Sequence, residues 1–281
     1  MAAYLEWAGD EPPLPPPLPR PTLAPGELPP AVRAALWQGD QLGSSVSAVL
    51  PTGFEALDDE LPGKGWPCHS LTEVLQAQAA VAEWRLLGPV MKQVVAAGRD
   101  VVIVGPPRTP HLPGLRHAGL DERRLVWLQA QAPAERLWVT EQLIKSNAAG
   151  LVLSWLPQAR QEQIRRLQIC AQSCDSPVFL FRPELAAHEP SAAPLRVRLR
   201  AGLDWDLHVN LLKRKGPTHE GELALRSVPG GLEAILTPRL RQPSLLIAAR
   251  KAAERKEPTE VSHVVGGPAP RSPAQRRVGA H

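Results

Sequence analysis

Short apolar runs that end sharply at glycine or proline recur through the middle of the chain. "DVVIVGP" (100–106), "GLVLSWLP" (150–157) and "SPVFLFRP" (176–183) do not alternate between apolar and polar residues. A strand with no polar face must be covered on both sides, as in parallel sheets. "HSLTEVL" (69–75) and "RLVWLQ" (124–129) read the same way. Helical spacing fills the gaps between these runs. From about Ala80 to Ala97, Val81, Trp84, Leu87, Met91, Val94 and Val95 recur at three- and four-residue intervals, and Gly98 suits a C-cap. Residues 133–147 begin with Pro133 and carry Glu135 in the first turn; Gln158 to about Cys174 turns Ile164, Leu167, Ala171 and Cys174 inward. Beyond residue 194 the period becomes two, in "PLRVRLRAG", "DWDLHVNLLKRKG" and "GELALRSVP". These predict an α/β fold: a parallel sheet flanked by helices, with an antiparallel C-terminal extension.

The two ends differ in composition. Ten of the 32 prolines lie in residues 1–30, which excludes helix and sheet there. From Arg241 to His281, eight Lys/Arg face three Asp/Glu, a net +5 that leaves −1 for the rest of the chain. With few large apolar residues after Ile247, this part reads as a basic disordered tail. The expected organisation is a Pro-rich disordered segment at 1–30, one globular domain at 31–240, and the tail at 241–281. Three cysteines give no disulfide framework, "MAAYLEWAGDE" lacks the apolar core of a signal peptide, and no apolar run reaches membrane-spanning length. A cytoplasmic protein is expected.

Three segments carry a resemblance: "LWQGDQL" (36–42), "LPTGFEALDDELPGKGWP" (50–67) and "LTEVL" (71–75). The second and third are similar to the opening of a RecA-type recombinase core. All three resemble the N-terminal motifs of the ImuA family, the RecA-like proteins of bacterial mutagenic translesion-synthesis cassettes. The likeness runs over residues 36–228 and implies a degenerate RecA-like fold.

That frame puts a phosphate loop after the first strand. A G-x-x-x-x-G-K-[ST] loop aims backbone N–H groups at phosphates, with Lys for charge and Ser/Thr for magnesium. Aligned on the strand, its two glycines fall on Gln76 and Val81, its lysine on Ala82 and its hydroxyl on Glu83. The acidic residue expected at the end of the fourth strand is replaced by Ser154, followed by Trp155. "VGPPRTP" lacks a water-activating glutamate, and Arg182 stands where the resemblance implies a nucleotide-sensing polar residue. No cofactor and no catalysis are expected.

Cys170 and Cys174, four residues apart, could ligate a metal with His111, His117 or His188, but no companion motif is present and core cysteines are preferred. Ser154 is not in a G-x-S-x-G elbow. Lys213–Lys215 reads as a solvated turn before it reads as a phosphate contact. Trp84 and Trp127 fit the core; Trp7 and Trp37 lie outside it. "PAVRAALWQGDQL" predicts a helix of about two turns, too short to stand alone, with Leu36 and Trp37 as a partner-binding anchor.

The resemblance implies an SOS-induced, error-prone translesion adaptor. Its implied partners are an ImuB-type polymerase relative, an error-prone replicative-type polymerase and RecA, with DNA contacted through the basic tail. The alternative is a SulA-like cell-division inhibitor acting on the tubulin-like division protein. Such chains are shorter and lack the extended 36–75 motif.

Overall fold

A computed structural model describes residues 48–80, 82–228 and 232–256 of the 281-residue chain. Ala48 onward opens with β1 (Val49–Leu50), paired antiparallel with β2 (Trp66–Pro67) around α1 (Glu55–Glu60). The tight lead into α1 is set by side chains. Thr52 Oγ1 accepts from Phe54 N–H at 3.0 Å, and Asp58 Oδ1 accepts from Thr52 N–H at 2.9 Å. Gly53 sits at φ +85°, where a Cβ would lie 2.3 Å from that of Pro89, so only glycine fits.

The remaining strands form one eight-stranded sheet. They are β3 (Leu71–Gln76), β4 (Val101–Val104), β5 (Leu125–Leu128), β6 (Leu151–Trp155), β7 (Val178–Pro183), β8 (Leu195–Ala201), β9 (Asp206–Lys213) and β10 (Leu223–Arg226), in the order β10-β9-β8-β3-β7-β6-β4-β5. The five neighbours from β3 to β5 are parallel, and β9 and β10 add the antiparallel end. β8 departs from expectation. It is parallel to β3, with Glu73 opposite Arg196, and antiparallel only to β9. β5 departs too. It is an edge strand, so Trp127 is half-exposed instead of buried in the core.

One face is covered by α2 (Glu83–Ala96), whose Leu86, Leu87, Val90, Met91 and Val94 pack with Val74, Ile103, Phe179, Val197 and Val209. Pro89 lies inside this helix. The other face carries α4 (Pro133–Ser146) and α5 (Gln161–Ala171), after the short α3 (Leu112–His117) at the β4 end. Leu137, Ile144, Ile164 and Leu167 pack there on Leu71, Val152 and Leu180. Gln168 of α5 accepts from Leu71 N–H at 2.9 Å and fixes the start of β3.

α5 is shorter than its period suggested. Cys174 lies beyond the helix end, but it is buried, and Cys170 packs on the same cluster. The chain after residue 240 is also not simply a tail. α6 (Leu232–Ile235), α7 (Pro238–Arg241) and α8 (Pro243–Lys256) follow the sheet. They are pinned to the β8–β9 turn, because Trp205 Nε1 donates to Leu240 O at 3.0 Å and Ser244 N–H to Asp204 Oδ1 at 2.8 Å. The 204–205 turn supplies a partner that composition alone does not reveal. No helix among the described residues is long and apolar enough to cross a membrane.

Candidate functional site

In open α/β sheets, ligands bind at the carboxyl ends of the strands. Here that edge gathers Gln76, Trp155, Arg182 and the 77–82 turn between β3 and α2. The turn determines what this edge can hold. Glu83 is the first residue of α2 and is buried, and Ala80 N–H donates to its Oε1. Ala80 reaches that position at φ +66°, a left-handed conformation that an alanine adopts only under constraint. A helix N-terminus and a turn N–H are the two elements that bind phosphate in nucleotide loops. Here the turn N–H of Ala80 is taken up by a carboxylate of the chain itself, at the first residue of the helix.

Ala82 is buried at the N-cap of α2, and Val81 lies outside the described residues. Gln76 is buried at the end of β3, and neither atom of its side-chain amide has a partner. Ser154 is fully buried, 2.7 Å from Thr140 Oγ1 of α4. Next to it, Trp155 stacks on Phe181 with ring centroids 4.4 Å apart, and Trp84 lies 5.8 Å from Trp155 on the other side. Aromatic rings therefore fill this face of the edge.

The opposite face holds an arrangement that pattern reading missed. Glu73, at 0% exposure in the middle of the sheet, receives Arg182 Nη1 at 2.7 Å and Arg196 Nε at 2.5 Å. Arg182 also pairs with Glu189 at 2.6 Å and donates to Ala159 O at 2.9 Å; Arg196 donates to Glu189 O at 3.1 Å and to Ala186 O at 2.6 Å. Burial alone would lower the Arg182 guanidinium, but its bonds to Glu73 and Glu189 outweigh that and hold it above its ordinary value. Arg182 is thus committed to the fold. The segment after β7, a 3₁₀ helix at Glu184–His188, is tied down by the same group, with Glu184 on Arg198 at 3.2 Å. A charged residue within an apolar run (Glu73, Arg182) was the only sequence signal for this cluster.

Beside the turn lies a groove of about 870 Å³ between α2, α3 and the end of β10. Phe54, Trp84, Pro89, Leu115, Leu120 and Leu232 line its walls, while Lys92, Arg108 and Arg226 stand on its rim with His111 and His117. Among the described residues, no acidic one lines it. One wall is rigid. Arg85 donates through Nε to Ser227 Oγ at 3.0 Å and lies over the Trp205 ring at 5.8 Å, with burial lowering its pKa against the opposing pull of Asp206.

The other sequence candidates lie apart. Among the described residues no cluster could hold a metal ion. Arg214 of the Lys213–Lys215 turn is bound to Glu60 at 2.9 Å. Leu36 and Trp37 lie outside the described residues.

No family model matches the chain. It is similar to the cell division inhibitor SulA of Photorhabdus laumondii subsp. laumondii, 27% identical over 112 residues, which span 40% of this chain and 63% of that protein. It is also similar to the SulA of Pseudomonas aeruginosa, 28% identical over 131 residues, 46% of this chain and 71% of that protein.

Proposed function

We propose that the chain is a non-catalytic, RecA-like adaptor of the ImuA type, acting in SOS-induced error-prone translesion synthesis. The observation that carries the reading is Glu83, buried on the turn where a nucleotide phosphate would have to sit. Trp155 and its neighbours add support by filling the adjacent edge with rings. The parallel core followed by an antiparallel end agrees with the element order that the motif resemblance calls for. In this reading the domain positions an ImuB-type polymerase relative, an error-prone replicative-type polymerase and RecA, and any DNA contact comes from the basic C-terminal end. Its work is assembly in the cytoplasm, without cofactor turnover.

A second reading is favoured by the two relatives: a SulA-like inhibitor that blocks the tubulin-like division protein. Likeness to SulA is compatible with the first reading as well, since both kinds of protein answer the SOS signal. Two experiments test these readings, and the second separates them. Calorimetric titration with Mg-ATP is expected to give no binding, and micromolar affinity would overturn the non-catalytic reading. Capture from damaged cells is expected to recover polymerase subunits; recovery of the division protein without them would select the inhibitor.

A further inference from the structure

The groove beside α2 and α3 combines apolar walls with a rim of three cationic side chains and two histidines. Among the described residues Lys92, Arg108 and Arg226 make no ion pair, whereas Arg116, Arg124, Arg198 and Arg200 each have a carboxylate. Such a surface suits a peptide that brings both an aromatic side chain and negative charge.

The chain contains such a peptide. Residues 4–11, "YLEWAGDE", hold Tyr4, Leu5 and Trp7 together with Glu6, Asp10 and Glu11, and no Lys or Arg. The segment around Trp37 is a poorer match, because Arg33 offsets Asp40. Reach is sufficient. The 36 residues from Pro12 to Ser47 precede the first described residue, Ala48. At about 3 Å per residue for a proline-rich tether they span roughly 110 Å, against the roughly 40 Å across a domain of this size. β1, just beyond Ala48, leads directly to Gly53 and Phe54 on the groove wall. A tethered peptide is also present at an effective concentration on the order of millimolar, so modest intrinsic affinity suffices.

We propose that the groove is a docking site for an acidic, aromatic-bearing peptide, and that residues 4–11 of this chain are its occupant. Trp7 and Leu5 enter between Trp84, Pro89 and Leu115, and the carboxylates face Lys92, Arg108 and Arg226. The proposal does not depend on the adaptor reading. It makes the groove a surface that an external partner reaches only by displacing the N-terminus.

The test uses the full-length chain with p-benzoylphenylalanine in place of Trp7, illuminated and digested for adduct mapping. Adducts are expected within residues 84–92 and 108–118, in the monomer band. In the Lys92→Glu, Arg108→Glu double variant the adduct yield is expected to fall about tenfold, as two exposed charge contacts reverse sign. Because neither cation has a partner in the fold, that variant's thermal midpoint is expected to be unchanged, and the midpoint separates lost docking from lost folding. Adducts elsewhere, adducts only between two copies, or a yield indifferent to the charge reversal would overturn the proposal. So would a probe at position 37 that labels the groove while the probe at position 7 does not.

Discussion

Glu73→Gln removes one charge and almost no volume, so its effect isolates the electrostatics of the buried cluster. Glu73 is fully buried, and the side chains of Arg182 and Arg196 are 3% and 8% exposed. Removing one partner of a buried ion pair typically destabilises by about 3–5 kcal/mol, because a charge is left unpaired. Here two guanidinium groups would be left. Each keeps other acceptors: Glu189 and Ala159 O for Arg182, and the carbonyls of Ala186 and Glu189 for Arg196. The expected loss therefore falls at the lower end, about 3 kcal/mol. For a domain of this size that is a fall of roughly 6–12 °C in melting temperature. Urea unfolding followed by circular dichroism reads it directly. Glu189→Gln is the matched control, since that carboxylate touches the same arginine but is 58% exposed; it should cost less than about 1 kcal/mol. Equal effects of the two substitutions, or a loss below about 1 kcal/mol for Glu73→Gln, would refute the argument that burial makes this cluster costly to break.

Three further outcomes are expected. Trp37→Ala should weaken capture of cassette partners by about tenfold while the melting temperature stays fixed, as the loss of one interface indole does; unfolding of the variant would place Trp37 in the domain's own core. Deletion of residues 245–281, beyond the Ser244–Asp204 contact, removes seven of the eight Lys/Arg that follow residue 240. Retention on DNA should then lose its steep salt dependence, and unchanged retention on a DNA column would refute that assignment. The Cys68 thiol is pushed up to about 11 from 9.0 by burial, with Cys174 adding and Arg99 opposing. Since the folded pKa is the higher one, its contribution to stability is whole below pH 9.0 and is lost as pH rises towards about 11. Urea midpoints measured across that range should fall less steeply in Cys68→Ala than in the parent chain.

The parallel strands were legible because burial on both faces leaves a mark on sequence: "VVIV" and "LVLSW" show no alternation. β8 was misleading for the opposite reason. "LRVRLR" alternates like a strand with one wet face, yet Arg196 at its start faces Glu73 and is buried. Alternation reports polarity, and it cannot distinguish water from a carboxylate on the neighbouring strand. "RLVWLQ" failed for a related reason, since apolar content does not say whether a strand lies in the centre of a sheet or at its edge. At the candidate site, the loss of glycine, lysine and hydroxyl from 76–83 could be read residue by residue. What replaced them could not, because the Glu83–Ala80 contact depends on a left-handed turn that no propensity assigns to alanine. The groove was equally hidden; its rim is assembled from Lys92, Arg108 and Arg226, which are far apart in the chain.

Glu83 also determines what kind of control this turn can obey. A loop that binds a dissociable anion is occupied according to that anion's concentration, so it can act as a gauge of cellular energy state. A carboxylate carried three residues along the same chain never leaves, and no concentration outside the protein sets its occupancy. On the proposed adaptor reading, an assembly organised by this domain is metered by how many copies the cell makes, and transcription becomes its dial.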